Sequence, residues 1–150
     1  MLTRNRDVGD PLPTETVLAV LDAGRSNGDL LIADLGRGTE AVAAGVLDSV
    51  ELIVPVCCAT VPAVSATRKL AARLPAGARS RLVVRGPSPS GLTAAQVAGA
   101  VGLPLLAGQR SEAGLPSRCE SGGLHLRRRS PLRRTAQAVL AELADGTRRR

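Results

Sequence analysis

An α/β fold, a mostly parallel sheet of about four strands flanked by helices, is what this chain's sequence predicts. Three observations point there. Short apolar runs of the kind that fill a sheet buried on both faces recur along the chain: "LLIADL", "VELIVPV", "SRLVVRG" and "LPLLAG". Stretches with helical spacing of apolar residues lie between them. The connections are brief, and strand–helix alternation with short loops is the signature of a parallel sheet wrapped by helices.

Taken in order, residues 1–10 are polar and read as a loose N-terminus. "PTETVLAVLDAG" predicts the first helix, with Thr14 as N-cap, Val17, Leu18 and Leu21 on one face, and Gly24 as the stop. Leu30–Leu35 is the first strand, and "GTEAVAAGVLDS" the second helix. The second strand is Leu52–Val56. "VPAVSATRKLAARLPAG" is the third helix, ended by Pro75 and Gly77. After the strand "SRLVVRG", "TAAQVAGAVG" opens with a capping box, Thr93 answered by Gln96. "LPLLAG" closes an α/β core spanning residues 11–108. Residues 109–130 read as a loop, residues 131–144 as a helix capped by Ser130 with Pro131 at its first position, and residues 145–150 as a basic tail.

The composition excludes several functions. The length, 150 residues, suits one domain, and the aromatic count is zero. The chain therefore has none of the stacking platforms that single-strand nucleic-acid binders use. The net charge of +7 is uneven: residues 1–75 hold seven basic and nine acidic residues, residues 76–150 thirteen and four. The basicity belongs to "LRRRSPLRR" and the final "RRR". Three cysteines, two of them the neighbours Cys57 and Cys58, make a poor disulfide framework. An odd count fits a reducing, cytoplasmic location. The most apolar window, residues 50–66, contains Glu51, Pro55 and Pro62, and is too short and too broken to span a membrane.

"DLLIADLGRG" raises the sharpest chemical question. An acid leaving a buried strand, here Asp34, can hold a magnesium ion beside a phosphate-binding loop. That loop needs a glycine turn followed by lysine and Ser or Thr. The only lysine, Lys69, sits in "TRKLAA" with no glycine before it, and no Gly-x-Gly-x-x-Gly follows a predicted strand. Spacing alone favours Asp34 as a capping or solvent-facing acid. "RGPSPSG", Arg85 to Gly91, lies at a strand end where α/β ligands bind. Its prolines remove N–H donors, so a rigid connector competes with ligand contact.

Together, "DLLIADLGR", "VELIVPVCCATVPAVSATRKLAARL", "LVVRGPSPSGLTAAQVAGAVGLPLLAGQR" and "GGLHLRRRSPLRRTAQAVLAEL" resemble the C-terminal half of actinobacterial septum-site-determining proteins. These belong to the MinD/ParA/CpaE-like branch of P-loop ATPases. The resemblance covers roughly residues 8–143, and "VVRGPSPSGL", "GLPLLA" and "LRRRSPL" are its most specific pieces. It implies a Rossmann-like, P-loop NTPase-type sheet that is incomplete relative to the family, since this sequence has no P-loop. It also implies a cytoplasmic role, often near the membrane, in positioning division-septum or pilus-assembly machinery.

By the same resemblance, Asp34, Gly36 and Arg85 are vestigial nucleotide-site residues, Gly36 standing where the family's "DLPR" has proline. ATP and magnesium are expected only if a P-loop half is supplied; no cofactor is expected for the chain alone. A homodimer or a partner P-loop ATPase chain would then complete the function. The resemblance places the P-loop strand between the strands matching Leu30–Leu35 and Leu52–Val56. Without it, those two are expected to pair directly or to accept a strand from elsewhere.

Three further readings concern the remaining polar groups. Arg127, Arg128, Arg129, Arg133 and Arg134 could neutralise nucleic-acid phosphates with little sequence specificity, or form a partner surface. The last helix puts Leu132, Ala136, Val139, Leu140 and Leu143 on one stripe, expected to pack on the sheet rather than on a membrane surface. His125 and Cys119 lack a second ligand pair, so no metal site is expected, and no nucleophile elbow accompanies the histidine. Cys57 and Cys58 read as small core residues.

Overall fold

The computed structural model describes residues 13–35, 40–120, 124 and 126–148. The chain divides into two compact units, Met1–Val50 and Glu51–Arg150, a boundary inside the span that the sequence reads as one core.

The first unit is built on two helices, α1 (Thr14–Ser26) and α2 (Glu40–Ser49), packed on each other. Pro13, with φ fixed by its ring, takes the cap position, so Thr14 is the first helical residue rather than the cap. The helix also runs past Gly24 and turns at Gly28, whose φ of +76° suits a residue without Cβ. Gly24 has a packing reason instead: a Cβ there would lie 2.7 Å from the Leu31 side chain. Gly45 lets α2 approach α1, since its Cβ would sit 3.1 Å from Thr14. Arg25 closes the unit, donating to the Ser49 carbonyl (2.6 Å) at the end of α2 and pairing with Asp22 (2.9 Å). A cation there meets the negative end of the helix dipole.

Leu30–Leu35 departs from expectation. It forms no strand, and Leu30, Ile32 and Leu35 are exposed, Ile32 to 86%. Apolar, β-branched sequence favours a strand only where a neighbour supplies a ladder.

The second unit is the α/β domain. Its elements are β1 (Val56–Cys58), α3 (Val61–Ala71), β2 (Leu82–Arg85), α4 (Ala94–Val101), β3 (Leu105–Gln109), α5 (Leu115–Glu120) and α6 (Pro131–Thr147). The described sheet has three strands rather than about four, in the order β1-β2-β3, and both pairings are parallel. The second predicted strand begins late. Ile53 bridges Ser80, but Pro55 has no N–H to give the ladder, so regular pairing starts at Val56. A bulge after Leu82 brings Val83 opposite Ala107 and leaves Leu106 unmatched.

β2 lies between its neighbours and is buried throughout Leu82–Val84. Cys57, Ala59, Leu82 and Val84 face one way and meet Val97, Ala98 and Val101 of α4, with Ala63 and Val64 of α3 beside them. Aliphatic side chains and the Cys57 thiol fill this core, with no aromatic ring among them. α4 is set by both caps: Thr93 and Gln96 make the predicted capping box, and Gly102 ends the helix at φ +81°.

α6 packs against β3, but on a face rotated from the predicted stripe. Ala136 and Leu140 point to solvent, whereas Thr135 and the Glu142 carboxylate turn inward. The reason lies in Arg79 and Arg81, just before β2, which pair with Glu142 at 2.7 and 2.9 Å. The loop expectation for residues 109–130 is also corrected. Gln109 ends β3, and α5 occupies part of the span.

Candidate functional site

Ligands of parallel sheets gather where the strands end at their carboxyl termini. Here that edge carries Thr60, Arg85 and the residues after Gln109. Arg85 ends β2 with its side chain exposed, while its carbonyl accepts from Ala59 N–H (2.9 Å). The following loop is bound down by its own polar groups. Gly86 N–H donates to the Gln109 carbonyl (2.8 Å), and Ser111 Oγ donates to the Gly86 carbonyl (3.0 Å). Ser88 Oγ accepts from Leu92 N–H (2.7 Å). Pro87 and Pro89 have no N–H, so the row of backbone donors that a phosphate cradle needs is interrupted twice, although the Ser88 hydroxyl, accepting from Leu92, keeps its own proton to donate. It is a braced connector.

Asp34 is exposed and, among the described residues, has no hydrogen-bond or ion-pair partner. Gly36 lies outside the described residues. Lys69 sits in the last turn of α3, exposed to solvent. That is the negative end of a helix dipole, the reverse of the N-terminal setting that binds phosphate. Lys69, the sequence's single lysine, is therefore not set in a phosphate-binding glycine turn.

The arginine cluster has a more definite architecture. Arg127, Arg128 and Arg129 form an exposed turn, and Arg133 and Arg134 follow on the first turn of α6, also exposed. Ser130 between them is buried at 3% exposure and caps the helix, its Oγ accepting from Arg133 N–H (3.2 Å). The same hydroxyl donates to Glu112 Oε2 (2.5 Å), and Glu112 Oε1 takes Arg118 Nη2 (2.6 Å). A half-buried acid thus ties the arginine turn to the segment after β3. No carboxylate lies in the first turn of α6, so five cations crowd its positive end, which raises local positive potential.

Glu112 and Glu142 are the site residues that the sequence reading overlooks. Both are found where acids are scarce: residues 76–150 contain four acids among thirteen arginines. The Arg79 guanidinium, hydrogen-bonded to Glu142, holds that carboxyl below its usual range against the opposing effect of burial, with Arg81 adding attraction. Arg79 also donates to the Glu142 carbonyl and lies against Gly146, where a Cβ would collide with it.

Cys57 is buried, as expected, but Cys58 is exposed; adjacent strand residues face opposite ways. Cys119 is exposed too, and the three thiols are free. His125 lies outside the described residues. Among the described residues no cluster could hold a metal, and no helix is long and apolar enough to cross a membrane.

No family model matches the chain. Two uncharacterized proteins of Mycobacterium tuberculosis, from strains CDC 1551 / Oshkosh and ATCC 25618 / H37Rv, are each 43% identical over 136 residues. The match covers 90% of this chain but 39% of theirs, so the chain spans about two-fifths of the length of these relatives. Among solved structures, a ParA family ATPase from Chlorobium tepidum TLS superposes with a TM-score of 0.62 at 16% identity, over 71% of this chain and 46% of that one. The chain therefore has a ParA-like α/β fold.

Proposed function

We propose that the chain is a septum-site-determining, CpaE-like interaction domain, with no ATPase centre of its own, that helps position division or pilus machinery. One observation carries the non-catalytic part. A sheet of the ParA type is combined with a single lysine, Lys69, at the wrong end of a helix and outside any glycine turn. Phosphoryl transfer in P-loop enzymes depends on holding the β- and γ-phosphates, and these residues cannot hold them. Asp34, Gly36 and Arg85 would border a nucleotide only if another polypeptide supplied the phosphate loop with its ATP and magnesium. Incubation of the purified chain with magnesium-ATP should release no phosphate, and turnover by the chain itself would end this reading. Turnover only after mixing with a P-loop-bearing half would replace it by a split enzyme. In a mycobacterial cell, a fluorescent fusion should gather at septa or poles; uniform fluorescence would argue against the positioning role.

The arginine turn favours a second reading, non-specific nucleic-acid binding. Arg127, Arg128, Arg129, Arg133 and Arg134 are exposed together on a braced scaffold. If all five neutralise phosphates, log Kobs should fall with log salt at a slope of roughly −4 to −5 on duplex DNA. Absence of binding at low salt would remove this reading.

A further inference from the structure

Two stretches at the carboxyl edge of the sheet are fastened to each other through a pair of adjacent side chains. One is the loop of residues 86–92 after β2. The other is the arginine turn with the first turn of α6. Ser111 Oγ donates to the Gly86 carbonyl (3.0 Å), and Gly86 N–H donates to the Gln109 carbonyl (2.8 Å). The segment after β3 therefore holds that glycine by both of its polar groups. The next residue, Glu112, reaches the second stretch: Oε2 accepts from Ser130 Oγ (2.5 Å) and Oε1 from Arg118 Nη2 (2.6 Å). Arg118 Nη1 donates to the Ala113 carbonyl (3.2 Å), and Gly114, at φ +71°, turns the chain into α5. Ser130 closes the series, its hydroxyl taking Arg133 N–H (3.2 Å) while giving its proton to Glu112.

We propose that residues 110–114 are a strap coupling the arginine turn to the loop after β2, so that a polyanion seated on the arginines is felt at Gly86 and Leu92. One planar peptide joins Ser111 to Glu112, with Cα atoms ~3.8 Å apart, so a displacement of one is carried to the other. The Glu112 end is charge-assisted and holds two donors, which makes the neutral Ser111–Gly86 bond the weaker link. Every group in the series belongs to the second unit, Glu51–Arg150. Order imposed at one end of such a network lowers the cost of order at the other, and the effect is reciprocal. The response to a polyanion rests on the nucleic-acid reading of the arginine turn; the coupling of the two stretches does not.

Amide exchange of the full chain tests each part. Without ligand, Ser130→Ala should speed exchange at Arg133 and also at Gly86 and Leu92, there by roughly two- to fivefold, the scale of one hydrogen bond. In a Ser111→Ala background the same substitution should still speed Arg133 but leave Gly86 and Leu92 unmoved, since the strap is cut beyond Glu112. Packing of α6 on β3 needs no Ser111, so a path through the sheet would survive that cut. With mixed-sequence duplex DNA at low salt, protection should rise at the arginine turn. It should also rise at Gly86 and Leu92, in the wild type but not in Ser111→Ala. An effect of Ser130→Ala confined to α6, one at Gly86 that persists without Ser111, or duplex protection confined to the arginine turn would each overturn the proposal. Duplex that fails to bind would remove the nucleic-acid reading, and the ligand-free comparison would still decide the coupling.

Discussion

Leu30–Leu35 and Leu82–Arg85 are nearly equal as apolar sequences and opposite in fate. The second is the centre of the sheet, paired on both edges and covered on both faces, with Leu82 wholly buried. The first has no ladder, and Leu31, near Gly24, is the one part-buried residue within it. The difference lies in what surrounds each run. Arg79 and Arg81 clamp the approach to β2 through Glu142, and Ser130 with Glu112 fixes the start of α6, which packs on β3. A strand is stable when its neighbours are present.

The largest effect should come from opening the centre. Leu82→Ala leaves a cavity in a packed core and should cost about 2–5 kcal/mol, measured by urea unfolding of the second unit's signal. Next is Ser130→Ala, which removes the α6 cap and should cost ~1 kcal/mol, with faster amide exchange in the first turn of α6. Ile32→Ala should change stability by less than about 0.5 kcal/mol. Were it to match Leu82→Ala, Leu30–Leu35 would be a buried strand after all, and the contrast would fail.

Acid sharpens the same comparison. The Glu142 carboxyl is lowered in the folded chain, first by the Arg79 hydrogen bond. A depressed carboxylate contributes stability above its unfolded value, roughly 4.3, and loses it as pH falls through the lower folded value. Below pH ~4, α6 amides should therefore lose exchange protection, while those of Leu30–Leu35 stay unprotected, relative to their intrinsic rates, at every pH. Glu142→Gln should weaken α6 near neutral pH and flatten this acid dependence. An unchanged acid profile in that variant would show that the clamp does not govern α6.

Much of the second unit was legible before any coordinates. The capping box at Thr93, the cap at Ser130 and the buried "LVV" run follow from local rules, because caps and two-sided apolar strands act within a few residues. Helix α6 was legible as a helix but not in its rotation. Arg79 and Glu142 are 63 positions apart, and no periodicity relates them. Gly24 was read as a stop, whereas its role is to admit Leu31, a contact set by how the chain folds back.

The sequence by itself determined the α/β class, the caps at Thr93 and Ser130 and the lack of any glycine-cradled lysine, since each is written in neighbouring residues. Only the tertiary structure decided which apolar runs became strands and which face of α6 turned inward. Ladders and ion pairs join residues far apart in the chain, and a local pattern cannot report whether the distant partner arrives.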